Sequence, residues 1–146
     1  MTDNGSGQQG NIGQGSNGQQ GNDGQGTEGT RHPGTSGRLP HHRLLAYGVA
    51  VELLQAVLAA RLGDATLREQ ALRAAKSACL NTAEGAGRVS RADKARAFGI
   101  ARAEATEAAA AVEIASLTGG AAAEAAERVL RVADRLVGML TGLVLR

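Results

Sequence analysis

Apolar residues recur at helical spacing along four stretches of residues 39–146, and no such pattern occurs before residue 39. Within each stretch an apolar side chain returns every three or four residues, the spacing that places side chains on one face of an α-helix. Short polar or glycine-containing segments separate the stretches. The pattern therefore predicts four helices with short connections.

The first helix is predicted from about Leu39 or Pro40 to Leu62, because proline is tolerated in a first helical turn. Gly63 is expected at its C-terminal end, where glycine is common. The apolar residues of this helix form a single stripe: Leu44, Tyr47, Val51, Leu54, Leu58 and Leu62.

The second and third helices are each preceded by a residue that can cap a helix N-terminus. Asp64 is the expected N-cap of a helix that runs to about Ala86. Ser90, with Asp93 three residues later, resembles a capping box and opens a helix that runs to about Leu117. Small residues dominate the inward face of the second helix: Leu67, Ala71, Ala74 or Ala75, Ala78 and Thr82. Alanine and valine repeat at heptad-like spacing on the third: Ala101, Ala105, Ala108, Val112 and Ala115.

A break at Thr118-Gly119-Gly120 precedes the fourth helix. One face of that helix carries branched apolar residues: Val129, Val132, Leu136, Leu140 and Leu143. Four helices of similar length with three short connections predict an all-α, up-down-up-down four-helix bundle.

Residues 1–38 differ sharply from this pattern. They hold 12 of the 21 glycines and six glutamines, with Ile12 as the only large aliphatic residue after the initiator Met. Such a segment buries too little apolar surface to offset its ordering entropy. The sequence predicts a disordered low-complexity tail over 1–38 and a four-helix bundle over 39–146.

The bundle region contains 29 alanines but one tyrosine and one phenylalanine. Since alanine buries little area, a lone bundle of this composition is expected to be marginally stable, and association with other copies is predicted.

The single cysteine, Cys79, excludes an internal disulfide and fits a reducing compartment. With no signal peptide or membrane span recognised, a cytoplasmic protein without membrane contact is expected.

Charge is unevenly distributed along the second half of the chain. Residues 88–102 hold five basic residues against one acid, while residues 104–127 hold five glutamates and no base. Phosphate groups are the natural partners of such a basic run, and a solvated or inter-subunit face is the alternative. The candidate nucleic-acid-binding residues lie on helices two and three: Arg73, Lys76, Arg88, Arg91, Lys94 and Arg96.

The turn between helices two and three carries the most distinctive motif, Asn81 to Arg88. Gly85 and Gly87 are expected to supply the positive φ of a helix end. Glu84 and Arg88 can form an i,i+4 ion pair if the helix persists that far. Asn81 and Glu84 are expected to satisfy backbone groups at the turn or to bridge to a neighbouring subunit, and direct contact with a ligand is the alternative.

Two runs carry a resemblance to a known family: Glu69-Gln70-Ala-Leu-Arg73-Ala-Ala-Lys76-Ser77 and Asn81-x-Ala83-Glu84-Gly85-x-Gly87-Arg88-x-Ser90. They resemble the four-helix-bundle family encoded in the intervening sequences of bacterial 23S rRNA genes. That family includes the accessory variability proteins of diversity-generating retroelements. The resemblance implies a homopentamer, and in the retroelement branch it implies binding of nucleic acid and assistance to a reverse transcriptase.

No catalytic constellation, metal site or cofactor site is predicted. Glu84 has no nucleophile or second carboxylate beside it, and His32, His41 and His42 lack partners at ligand spacing. Glycine spacings in the tail match the dinucleotide fingerprint but follow no strand and open no helix. Two functions are therefore expected: a nucleic-acid-binding accessory module, or a structural oligomer that binds a protein partner and uses the tail as a tether.

Overall fold

The computed structural model describes residues 39–146, which form a short 3₁₀ turn and four α-helices. The elements are η1 Pro40–Arg43, α1 Leu45–Ala59, α2 Ala65–Gly87, α3 Arg91–Leu117 and α4 Ala123–Val144. The predicted disordered tail, with its fingerprint matches and His32, lies outside the described residues. No strand occurs between residues 39 and 146.

The helices run antiparallel to their neighbours. At one end of the bundle the α1–α2 and α3–α4 connections meet, where the Gly63 amide donates to the Gly120 carbonyl over 2.8 Å. At the opposite end the Arg91 guanidinium, in the first turn of α3, donates over 3.5 Å to the Leu145 carbonyl that follows α4. The predicted all-α up-down-up-down bundle is confirmed.

Alanine dominates the core. Seventeen of the 27 buried hydrophobic residues are alanines, so α2 and α3 approach each other through methyl groups rather than through large side chains. The fully buried alanines of these two helices are Ala71, Ala74, Ala75, Ala78, Ala101, Ala105, Ala108 and Ala115. The larger buried residues come mainly from α1 and α4: Leu53, Val57, Val129, Val132, Leu136 and Leu140. The inward faces predicted for helices two, three and four are buried largely as expected, with Leu67 and Leu143 only partly buried.

The buried face of α1 is not the predicted stripe. The residues that face the core are Ala46, Ala50, Leu53, Ala56 and Val57. The stripe residues from Leu44 to Leu54 are half-buried on the flank of that face, and Leu58 is 55% exposed. Leu62, which lies beyond the end of α1, is buried as predicted. Small side chains let the helix axis come close to its neighbours, so the larger ones are displaced to the edge.

Both ends of the first helix also differ from the prediction. Pro40 opens a 3₁₀ turn, and extended backbone at Leu44 separates this turn from α1. The helix ends at Ala59, and the left-handed residue that follows it is Arg61, with φ of 47°, rather than Gly63. Gly63 lies in the α1–α2 connection and is hydrogen-bonded to Gly120 in the α3–α4 connection. The chain must therefore turn before it reaches Gly63.

The predicted caps of α2 and α3 are both formed. The Asp64 carboxylate accepts from the Leu67 amide over 2.8 Å, and the Ser90 hydroxyl oxygen accepts from the Asp93 amide over 3.1 Å. The Ser90 hydroxyl also donates to the Asp93 carboxylate over 2.7 Å. The Asp93 carboxylate thus bonds to the side chain of Ser90. In a capping box, the longer glutamate at this position would reach the backbone amide of the capping residue instead.

Arg61→Gly should raise the free energy of unfolding by about 0.5–1 kcal/mol, because an L-residue in the left-handed region costs about 1–2 kcal/mol and glycine gives back only part of that as chain entropy. Urea denaturation at a fixed protein concentration measures the change. Arg128→Gly, on an exposed face of α4, is the matched control and should lower stability by about 1 kcal/mol. Equal destabilisation by both changes would contradict this account of the α1 terminus.

Candidate functional site

The central motif is helical almost throughout. α2 continues to Gly87, and the first residue beyond it, Arg88, is extended with φ of −71°. Neither Gly85 nor Gly87 has a positive φ; among the described glycines only Gly119 does, with φ of 77°. The prediction that Gly85 and Gly87 supply a left-handed helix end is therefore wrong, and the turn is made by extended residues after the helix.

Gly85 is required for a close contact instead. A Cβ atom on this residue would lie 2.5 Å from the Phe98 ring, which is itself 4% exposed and packs across α2 from α3. Gly87 has open space around it: apart from its chain neighbours and the backbone of its own helix, no atom lies within 4 Å of the corresponding position. The two glycines of the motif therefore have different roles, and only Gly85 lets the two helices close around the aromatic ring.

The polar residues of the motif bond within α2. Asn81 donates through Nδ2 to the Ser77 carbonyl over 2.9 Å, one turn back along the helix. Glu84 and Arg88 form the i,i+4 ion pair predicted for a continuing helix. The hydrogen bond that Arg88 donates to the Glu84 carboxylate raises the pKa of Arg88 above its ordinary value. These bonds stabilise the last turns of α2.

The predicted basic cluster divides into separate groups. Arg91 and Lys94 line a cavity at the end of the bundle. Arg96 does not line it. Arg96 follows Lys94 by two residues, and two residues rotate a side chain by about 200° around the helix axis, so Arg96 lies on nearly the opposite side of α3. Arg88 is held by Glu84. The basic run of α3 is thus not one continuous surface.

The end cavity has a volume of about 460 Å³ and lies where η1, the end of α2, the start of α3 and the end of α4 converge. Four cations line it, Arg43, Arg91, Lys94 and Arg146, and its lining contains no acidic residue. Sequence reasoning missed Arg43 and Arg146, since they stand far from the basic run along the chain. Only the antiparallel packing brings all four together.

Arg73 and Lys76 lie elsewhere, on the outer face of α2. They line a shallow groove of about 750 Å³ together with Leu72 and Leu80, the latter 70% exposed. Arg73 is paired there with Glu107 of α3 over 2.6 Å. This groove is of mixed charge, because Glu69 lines it together with the basic residues, whereas no aspartate or glutamate lines the end cavity.

The remaining reactive groups form no site among the described residues. Cys79 is buried, and burial raises the pKa of its thiol, which favours the unreactive protonated form. Between residues 39 and 146 no three histidine, cysteine or carboxylate side chains are grouped to hold a metal ion. No helix in the same range has the length and apolar character that crossing a membrane requires.

These features define a small antiparallel four-helix bundle with an alanine-packed centre and a cationic cavity at one end. The family model of the 23S rRNA-intervening sequence protein matches residues 45–142, which span all four helices. The chain therefore belongs to this family, as its central motif indicated. No curated protein matches the chain.

Gly85→Ala should lower the free energy of unfolding by about 1–3 kcal/mol, because the new methyl group overlaps the buried Phe98 ring. Gly87→Ala is the matched control, in the same helical turn but with open space around it. It should leave stability unchanged or raise it slightly. Thermal and urea unfolding of both variants measure the difference, and equal effects would show that the Phe98 contact does not constrain this position.

Proposed function

We propose that this protein is a non-catalytic accessory module that binds nucleic acid through the end cavity and its cations. The observation that carries the proposal is the convergence of the Arg43, Arg91, Lys94 and Arg146 side chains on one cavity that no aspartate or glutamate lines. On the basis of the family resemblance, we propose that the module assists the reverse transcriptase of a retroelement.

The electrostatics favour a phosphate-bearing partner. Arg43, Lys94 and Arg146 make no side-chain hydrogen bond or ion pair with any other residue between 39 and 146, and Arg91 contacts only a backbone carbonyl. Their charges therefore remain available to an outside anion. Contacts of this kind give affinity that falls with salt and carries little sequence information.

We further propose that the bundle works as a homo-oligomer, with a pentamer implied by the family. The alanine-rich core buries few large side chains, so an isolated bundle gains little from its interior. Half-buried Leu72 adjoins exposed Leu58 on one side and lines the groove of exposed Leu80 on the other. This outer strip, Leu58, Leu72 and Leu80, is the proposed surface for other copies of the chain.

A structural oligomer with a protein partner is the second candidate. The mixed charge of the α2 groove favours it, because Arg68, Lys76 and Glu69 border the apolar strip as polar residues border many protein interfaces. In that case binding would depend on the groove, and the cations of the end cavity would be dispensable.

Arg91→Ala/Lys94→Ala should weaken binding of a labelled single-stranded oligonucleotide about 10-fold at low salt, since two exposed charge contacts are lost. The slope of log K against log salt should fall by about 1.4, at about 0.7 for each phosphate contact. Fluorescence anisotropy between 50 and 200 mM salt, values on the order of physiological ionic strength, measures both changes.

The matched control is Arg96→Ala/Arg128→Ala, which removes the same charge outside the cavity. It should retain near-normal affinity. If both double variants weaken binding equally, binding follows net charge and the cavity has no special role. Absence of oligonucleotide binding by the unaltered protein would overturn the nucleic-acid proposal and favour the structural oligomer.

Leu80→Glu should dissociate the oligomer, because it places a charge in the proposed apolar strip. Leu117→Glu is the control, since Leu117 is 82% exposed in α3 and lines neither of the grooves that contain the strip residues. Multi-angle light scattering should give a multimer for the wild type and the control but a smaller species for Leu80→Glu. A monomeric wild type would contradict the association proposal.

A further inference from the structure

We propose that the end cavity holds one unpaired nucleotide of a single-stranded segment, with its base against the apolar floor and the adjoining phosphates against the cations. This inference rests on the nucleic-acid binding proposed above and names the form of nucleic acid that the cavity accepts. It follows from the combination of an apolar floor and a cationic rim in one cavity.

The floor is built from all parts of the bundle that meet at this end. Leu44 precedes α1, Phe98 lies in α3 and Leu143 in α4, and these buried or half-buried side chains line the cavity. Val89, which follows α2, also lines it but is 96% exposed. Gly85 also lines the cavity. Because it has no side chain, the Phe98 ring can pack directly against α2 at this position. A cavity of about 460 Å³ is in the range of sites that enclose small organic groups, so a base with its sugar fits there.

The rim supplies charge from three separate parts of the chain. Arg43 ends η1, Arg91 and Lys94 occupy the first turn of α3, and Arg146 follows α4. A simple apolar ligand would gain nothing from these charges, and inorganic phosphate would gain nothing from the floor. A nucleotide within a strand has both an apolar face and two flanking phosphates, which matches the two halves of the cavity.

Duplex nucleic acid cannot use the floor in the same way. Its bases are stacked and paired, and a base must leave the stack, at a cost in free energy, before it can enter a protein pocket. A duplex would therefore reach only the rim through its outer phosphates. The geometry predicts a preference for single strands over duplexes, in addition to the salt dependence that both share.

The same lining predicts weak discrimination between adenine and uracil, because its only polar side chains are those of arginine and lysine, whose common base partner is guanine. Apart from the charged rim, the cavity contains apolar side chains, glycine and proline, and it has no asparagine, glutamine, serine or threonine to bond a base edge. Specific base recognition uses hydrogen bonds to those edges. Oligonucleotides of adenine and of uracil should therefore bind with affinities within about threefold, consistent with sequence-tolerant single-strand binding.

Ala86→Leu fills part of the cavity without changing its charge, because Ala86 is one of the lining residues. Anisotropy is measured with labelled 12-nucleotide poly-adenine and poly-uracil strands and with a 12-base-pair duplex, lengths on the order of one single-strand binding site. The wild type should bind the strands about 10-fold more tightly than the duplex, a difference of about 1.4 kcal/mol. Ala86→Leu should remove most of this preference while its duplex binding stays unchanged.

Ala123→Leu is the matched control, with the same side-chain change at an exposed position at the other end of the bundle. It should behave as wild type. A strand with a central 2-aminopurine adds a readout on the unaltered protein, because the emission of that base rises when it leaves the stack on binding.

Equal affinity of the wild type for strand and duplex, without a rise in 2-aminopurine emission, would overturn the inference. Nucleic-acid binding through Arg91 and Lys94 would then still stand, since the salt dependence of the duplex complex tests it separately. If neither strand nor duplex binds, the proposed function fails and this inference fails with it.

Discussion

The close approach of α2 and α3 through alanine methyl groups is the constraint on which the rest of the structure depends. Residues such as Ala78 and Ala105 are fully buried between the two helices, where larger side chains would force the helix axes apart. Alanine also has the highest helix propensity, so the same residues favour long helices and tight packing. Most of the bulk in the core must then come from α1 and α4.

This close packing explains the features at the two ends of the α2–α3 pair. At the end of α2, the aromatic ring that α3 inserts, that of Phe98, is accommodated because Gly85 has no side chain. Beyond the ring the helices no longer fill the space between them, and the end cavity begins there. Along the outer surface, large apolar residues excluded from the thin core remain exposed, as at Leu58 and Leu80. The packing of the core, the end cavity and the exposed apolar residues thus share one physical cause.

Much of the fold could be predicted from local patterns. Caps at Asp64 and Ser90 depend on residues three positions apart, and both are formed as expected. The end of α1 was not predictable in this way, because its position is set by a bond between two connections that are distant in sequence. The glycines of the central motif were misinterpreted for a related reason: a glycine that provides space and one that provides a positive φ look the same in a sequence.

The sequence by itself determined the helices, their order and the family, since helical periodicity, capping and a short motif are all local properties. Only the tertiary structure decided which charges act together. Arg43 and Arg146 join Arg91 and Lys94 because antiparallel helices bring the two ends of the bundle region to the same place. Arg96, a near neighbour of Lys94 in sequence, is directed elsewhere by the helical turn. Electrostatic fields depend on distance in space, which the chain acquires only when it folds.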